Sequence, residues 1–154
     1  MTMSTEDLDQ LRSLTSSMQH GPSGFFSIDN PSTDVLFVDD EIESCKVFKR
    51  LIEQRLGLTV HTALSPAHAL SVLHTHADKI CMMVTDIRMP VNDGVWLVEQ
   101  VRKTWPHITC VYSTAYSAHV TNKDAMALAD GIIEKPWDTK HLLRLVNMTV
   151  LKSA

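Results

Sequence analysis

No run of lysine and arginine in this sequence is long enough to follow a nucleic-acid backbone, and the 14 basic residues are outnumbered by 18 acidic ones. Because the formal net charge is -4, direct nucleic-acid binding by this chain is not expected. The longest aliphatic run near the middle of the chain, ICMMV, is far shorter than the ~20 residues that span a bilayer. The opening segment MTMSTEDLDQ is acidic, whereas a secretory signal would be basic. We therefore expect a cytoplasmic protein without a membrane anchor.

Cysteine and histidine patterns of metal or disulfide sites are also missing. The three cysteines, Cys45, Cys81 and Cys110, are an odd number without a CxxC pair, so buried, reduced thiols are expected. Of the eight histidines, His74 and His76 lie two residues apart, a spacing that suits neither one helix face nor a zinc finger. A histidine-based metal site is therefore not predicted.

The chain contains enough apolar residues for one globular domain, since 44% of its 154 residues are hydrophobic. The segment GPSGFFSIDNPSTD at residues 21–34 is rich in loop-forming residues. It predicts an N-terminal extension over residues 1–33 and a folded domain over residues 34–152. Apolar residues at helical spacing predict a short amphipathic helix at residues 5–18, which could dock on the domain, form a homodimer or fray.

Strand and helix patterns alternate from Asp34 onward. The strands are short and continuously apolar, which is typical of a parallel sheet covered by helices on both faces. Ser65 and Pro66 are the residues expected at the start of the second helix, and the third helix is predicted over residues 94–104. The sequence thus predicts a doubly wound α/β domain of five strands and five helices. The apolar face of the first helix is predicted to contain Val47, Phe48, Leu51, Ile52 and Leu56.

Polar residues follow four of the predicted strands. In a doubly wound sheet the ligand site lies beyond the carboxyl ends of the strands. A single Asp there is more often a turn or cap residue than a functional one, but agreement at four strand ends favours a site. These residues are Asp39 and Asp40 after the first strand, Thr85 and Asp86 after the third, Ser113 and Thr114 after the fourth, and Glu134 and Lys135 after the fifth.

These motifs resemble the receiver domain of bacterial two-component response regulators. The resemblance is carried by VDDE at 38–41, TDIRMPVNDG at 85–94, STA at 113–115 and EKPW at 134–137, and it covers about residues 34–152. It implies a flavodoxin-like sheet with strand order 2-1-3-4-5.

The resemblance also implies roles for the acidic residues. Asp86 would be the phosphoacceptor. Asp39, Asp40, Asp86 and the backbone carbonyl of Arg88 would bind Mg²⁺, for which Mn²⁺ could substitute. Two carboxylates ~4 Å apart repel by about 4 kcal/mol at an effective dielectric constant near 20, so such a cluster needs the charge of a cation. Magnesium prefers oxygen ligands of this kind.

Further residues would contact the phosphoryl group: Thr114, Ala115 and Lys135. Thr114 is preferred to Ser113 because alternate strand residues point to opposite faces and Thr114 precedes the small Ala115. Ser113 stays an alternative, since a register shift of one residue would exchange the two. The resemblance implies a cis peptide bond between Lys135 and Pro136.

The sequence departs from the family at Ile132, where many receivers have an aromatic switch residue. The response to phosphorylation would then use aliphatic packing or Tyr116. Arg88 and Tyr116 lie two residues beyond the acceptor and the hydroxyl, from where they would tune the lifetime of the phosphate. Trp96 and Trp137 could contact partners or cover edges of the core.

The resemblance implies a phosphorelay function. A histidine kinase or histidine phosphotransfer protein would phosphorylate Asp86, and the face formed by the fourth helix, fifth strand and fifth helix would signal to an effector protein or output domain. No enzyme activity is expected beyond self-phosphorylation and autodephosphorylation. The chain could also be the receiver part of a larger regulator or hybrid kinase.

Two other functions are less favoured. A phosphohydrolase with an aspartyl nucleophile would have Asp-x-Asp after the first strand, whereas Asp39 and Asp40 are adjacent. An interaction module without phosphorylation would have gaps among the acidic, hydroxyl and lysine positions, and all of them are filled.

Overall fold

The structure is a computed structural model that describes residues 5–6, 32–115 and 123–153. Five parallel strands form one sheet in the order β2-β1-β3-β4-β5, which confirms the predicted topology. The strands are β1 (Asp34–Val38), β2 (Val60–Ala63), β3 (Ile80–Asp86), β4 (Thr109–Thr114) and β5 (Gly131–Glu134).

Helices connect successive strands and cover both faces of the sheet. They are α1 (Ile42–Leu56), α2 (Pro66–His76), α3 (Gly94–Thr104), α4 (Lys123–Leu128) and α5 (Thr139–Ser153). Helices α1 and α5 pack with Phe37 and Val84 on one face. Helices α2 and α3 pack with Leu36 and Met83 on the other. The doubly wound α/β architecture is therefore as predicted.

The apolar face of α1 differs from the prediction at one position. Val47 is 56% exposed, whereas Cys45 is buried with Phe48 and Ile52. Residues 45, 48 and 52 recur at intervals of three and four, so they share the side of the helix that faces the sheet. Val47 lies outside that stripe, and its assignment to the core was wrong.

Local sequence determines where α2 and α3 begin. The Ser65 hydroxyl accepts a hydrogen bond from the His68 backbone N–H, and Pro66 is the first residue of α2. The Asp93 carboxylate accepts one from the Trp96 N–H at the start of α3. Both residues satisfy N–H groups that have no partner within their own helix.

Some predictions fall outside the described residues. Of the predicted helix at residues 5–18, only residues 5–6 are described, and Tyr116 is not. The predicted helix at residues 117–130 is described from residue 123. Among the helices that the structure describes, none is long and apolar enough to span a membrane.

Candidate functional site

Three carboxylates converge at the carboxyl edge of the sheet. Asp39 follows β1 and Asp86 ends β3, and these neighbouring strands pair in parallel up to Val38 opposite Thr85. One carboxylate oxygen from each of Asp39, Asp40 and Asp86 lies within 4.8 Å of the others. Asp39 is fully buried, Asp86 is half-buried and Asp40 is exposed. The predicted acidic cluster is therefore assembled, with one side open to solvent.

Backbone N–H groups orient two of these carboxylates. The Glu41 N–H donates to Asp39 Oδ1 at 2.9 Å, and the Ile87 N–H donates to Asp86 Oδ1 at 2.8 Å. Each carboxylate is thereby anchored through Oδ1, which leaves Oδ2 for other contacts.

Lys135 places its ammonium group between two of the acids. Its Nζ lies 2.5 Å from Asp39 Oδ2 and 3.5 Å from Asp86 Oδ2. Burial lowers the pKa of Lys135, but the hydrogen bond to Asp39 and the charge of Asp86 outweigh it, so the pKa ends above its usual value. The amine therefore stays protonated at neutral pH. The bond from Lys135 to Pro136 is cis, as the resemblance implies.

Asp86 is held in a partly desolvated position. Burial raises the pKa of its carboxyl, the Lys135 ammonium lowers it and the Asp39 carboxylate raises it again. The pKa ends above its usual value, which means that the folded chain disfavours the ionised form of Asp86.

This electrostatic cost predicts that Asp86→Asn stabilises the metal-free protein. Because the folded pKa is raised, the folded state binds more protons than the unfolded state between the usual pKa and the raised one. Stability therefore falls as pH rises through that window. In EDTA at neutral pH we expect Asp86→Asn to increase the free energy of unfolding by about 1 kcal/mol, with a smaller difference at acidic pH. Urea unfolding at several pH values measures this.

A matched control removes one acidic charge far from the site. Asp78 is exposed and lies near the amino end of β3. Asp78→Asn should leave stability almost unchanged. A less stable Asp86→Asn protein at neutral pH would contradict the prediction.

The two hydroxyls at the end of β4 have different surroundings. Ser113 is fully buried, pairs in register with Asp86, and accepts a hydrogen bond from Trp137 Nε1 at 2.9 Å. Thr114 is 7% exposed and precedes the exposed Ala115. The Ser113 hydroxyl is thus engaged by Trp137, and the choice of Thr114 as the hydroxyl that faces a ligand stays a prediction. The bond from Trp137 to Ser113 is a contact that the sequence did not reveal.

The loop after β3 folds back on its own strand. The Gly94 N–H donates to the Ile87 carbonyl at 2.8 Å, and a Cβ at Gly94 would lie 2.0 Å from the backbone oxygen of Asp86. Only glycine fits this approach. Arg88 is exposed in the same loop. Gly94 was not assigned a role from the sequence, although its place at the end of TDIRMPVNDG was the available signal.

Ile132, the predicted switch position, is half-buried. It packs against the core cluster that contains Tyr112 and Leu97, and the Tyr112 hydroxyl donates to the Ala125 carbonyl in α4 at 2.9 Å. Ile132 thus adjoins the aliphatic packing between β4, β5 and α4, not the acids themselves.

The donor set fits a hard divalent cation. Asp39, Asp40 and Asp86 offer only oxygen atoms, and the exposure of Asp40 leaves room for water ligands. Magnesium characteristically takes one or two carboxylates and keeps several waters. The three acids could therefore hold Mg²⁺, with the Lys135 ammonium supplying a further positive charge.

Known proteins share this sequence pattern. The family model described as response regulator receiver domain matches residues 35–147. The sensor kinase CckA of Brucella abortus (strain 2308) is 32% identical over 116 residues, which are 75% of this chain and 12% of that protein. The response regulator SaeR of Staphylococcus aureus (strain USA300) is 30% identical over 116 residues, covering 75% of this chain and 49% of SaeR. The chain thus spans less than half of either relative.

Solved structures share the fold. A response regulator receiver domain protein from Clostridium thermocellum superimposes with a TM-score of 0.71 at 25% identity, covering 78% of this chain and 95% of the other. The receiver domain of the hybrid histidine kinase CckA gives a TM-score of 0.63 at 26% identity, covering 76% of this chain and 98% of the other. Together with the acids at the sheet edge, these matches show that the chain belongs to the response regulator receiver domain family of two-component systems.

Proposed function

We propose that Asp86 accepts a phosphoryl group in a two-component phosphorelay, with Mg²⁺ bound by Asp39, Asp40, Asp86 and the backbone carbonyl of Arg88. The observation that carries this proposal is the position of Lys135 Nζ, between Asp39 and Asp86 beside three clustered carboxylates. Receiver domains generally bind Mg²⁺ at an acidic pocket, and the donor set here suits that ion.

The chain's own residues supply the nucleophile, Asp86, and a positive charge, the ammonium of Lys135. An oxygen of Asp86 forms the new O–P bond as the bond between phosphorus and the donor breaks. The bound cation would neutralise charge on the phosphoryl oxygens, since phosphoryl transfer depends chiefly on positioning and charge neutralisation. Lys135 attracts the same oxygens from the side of β5, and Thr114, with the backbone at Ala115, completes the contacts. Asp39 would hold Lys135 and the cation, and Asp86 is the proposed acceptor because its carboxyl is the less buried of the two.

The donor in this proposal is a histidine kinase or histidine phosphotransfer protein. The target is an effector protein or an output domain, reached through the face of α4, β5 and α5. Packing at Ile132 would transmit the change, while Arg88 and Tyr116 would set phosphate lifetime. The chain acts in the cytoplasm and catalyses only its own phosphorylation and dephosphorylation.

A second candidate is the receiver part of a larger regulator or hybrid kinase. It is favoured by the 32% identity to the sensor kinase CckA, in which the matched region is 12% of the protein. Both candidates require the same chemistry at Asp86.

The proposal is tested by supplying Mg²⁺ and acetyl phosphate and measuring intact mass. We expect one phosphoryl adduct on the wild type, none in EDTA and none on Asp86→Asn, since the amide is not a competent nucleophile. An adduct that persists in Asp86→Asn would contradict the proposal. Continuous release of phosphate from many organic phosphates would instead favour a hydrolase, and failure to form any adduct would favour an interaction module.

A further inference from the structure

We propose that Trp137 is a positioning residue for the Lys135 ammonium and acts through its hydrogen bond to Ser113. This inference rests on the proposed function, because it concerns the efficiency of phosphoryl transfer to Asp86. It assigns a role to the side chains of two residues that lie outside the acidic cluster.

The hydrogen bond joins the loop after β5 to the end of β4. Trp137 Nε1 donates to Ser113 Oγ at 2.9 Å, and Ser113 is fully buried. Tryptophan is the aromatic residue that combines a large apolar ring with an N–H donor. A phenylalanine at this position would fill most of the same space but would leave the Ser113 oxygen without this donor.

Aromatic packing fixes the indole ring on the other side. The ring of Trp137 meets Phe37 edge-on, with centroids 5.5 Å apart and planes at 83°. It meets Phe48 similarly, at 5.6 Å and 76°, and Phe37 and Phe48 stack on each other at 4.1 Å. Because Phe37 lies two residues before Asp39, the indole is braced against the strand that carries the partner of Lys135.

The segment from Lys135 to Trp137 is thereby attached twice to the end of β4. The Lys135 backbone N–H donates to the Thr114 carbonyl at 2.9 Å, and Trp137 donates to Ser113. A lysine side chain has several rotatable bonds and loses conformational freedom when it is held in one place. Holding Lys135 by its backbone and Trp137 by its side chain limits the positions from which the ammonium can reach both Asp39 and Asp86.

The two neighbouring hydroxyls of β4 would then have separate tasks. Ser113 holds the loop that carries Lys135, and Thr114 lies at the edge of the site. This division explains why both positions carry a hydroxyl while only one can face the phosphoryl group, given the alternation of side chains along a strand.

The test is a set of double-mutant cycles on the rate of adduct formation with acetyl phosphate and saturating Mg²⁺. Trp137→Phe and Ser113→Ala each remove one partner of the same bond, so each should slow phosphorylation about fivefold, the usual effect of one hydrogen bond. The double variant should be no slower than either single one. Trp105→Phe is the matched control, since Trp105 is a half-buried tryptophan that packs on the opposite face of the sheet.

The background variant Lys135→Gln separates positioning from general destabilisation. Where no ammonium remains to be positioned, Trp137→Phe should leave the residual rate unchanged. An equal slowing in the Lys135→Gln background would overturn the positioning role, as would a wild-type rate in Trp137→Phe.

Nuclear magnetic resonance tests the hydrogen bond without phosphorylation. The Trp137 indole cross-peak, identified by its loss in Trp137→Phe, should shift in Ser113→Ala. An unchanged peak would overturn the positioning role of Trp137 and leave the proposed function intact. If the wild type forms no adduct, the proposed function fails and the positioning role fails with it. The two failures are therefore distinguishable.

Discussion

Replacing Lys135 by glutamine is expected to slow phosphoryl transfer to Asp86 by about 100-fold, the usual effect of removing one group that stabilises charge in the transition state. Lys135 contacts both Asp39 and Asp86. Among the contacts described at this site, the Lys135 ammonium is the positive charge that the chain itself contributes. With a neutral amide in its place, only the metal ion would offset the negative charges of the phosphoryl oxygens and the carboxylates.

The same substitution should destabilise the metal-free fold. The Lys135 side chain is 20% exposed but the Asp39 carboxylate is fully buried, so removing the ammonium leaves a buried charge uncompensated. We expect the free energy of unfolding in EDTA to fall by about 3 kcal/mol. Saturating Mg²⁺ should restore part of this loss, because it binds the folded state preferentially.

Initial rates of adduct formation and urea unfolding measure the two effects separately. Lys140→Gln is the control, since Lys140 is exposed in α5 and its loss should change neither quantity. Lys135→Arg keeps the charge and should retain more activity than Lys135→Gln. A wild-type rate in Lys135→Gln, or an equal loss in Lys140→Gln, would refute this role of Lys135.

Gly94→Ala is expected to lower the free energy of unfolding by about 3 kcal/mol through overpacking against the backbone. An added Cβ would lie 2.0 Å from the Asp86 oxygen, 3.0 Å from its carbonyl carbon and 3.1 Å from Ile87 Cα. All three are backbone atoms, so no side chain can move aside to make room. Without a clash, alanine would favour the helix by about 1 kcal/mol over glycine. A lower free energy of unfolding in Gly94→Ala would therefore be caused by the clash.

Gly131→Ala provides the matched control. A Cβ at Gly131 would meet nothing within 4 Å, so the change should stay within about 0.5 kcal/mol. Urea unfolding measures the free energy of unfolding of both variants. Equal stability of the two variants would show that the loop after β3 does not approach the Asp86 backbone as closely as described.

The sequence predicted much of the fold because local signals agreed with one another. Apolar runs located the five strands, and Ser65 with Pro66 located the start of α2. The placement of acids and lysine at strand ends predicted that Asp39, Asp86 and Lys135 would meet, since parallel strands end at one edge.

Other features depended on contacts between distant segments. The exposure of Val47 follows from the rotation of α1 about its own axis on the sheet. The five apolar residues predicted for its apolar face did not determine that rotation. The bond from Trp137 to Ser113 joins residues that are 24 positions apart. The approach of Gly94 to Asp86 depends on the path of the loop between them. Neither of these last two contacts has a periodic signature in the sequence.

The measurement that tests the central claim most directly is the location of the phosphoryl group by chemical trapping. After reaction with acetyl phosphate and Mg²⁺, borohydride reduces an aspartyl phosphate to homoserine, which tandem mass spectrometry locates within a peptide. We predict homoserine at the position of Asp86 alone, and none when EDTA replaces Mg²⁺. Homoserine at Asp39 or Asp40, or its absence throughout the chain, would contradict the assignment of Asp86 as the phosphoacceptor.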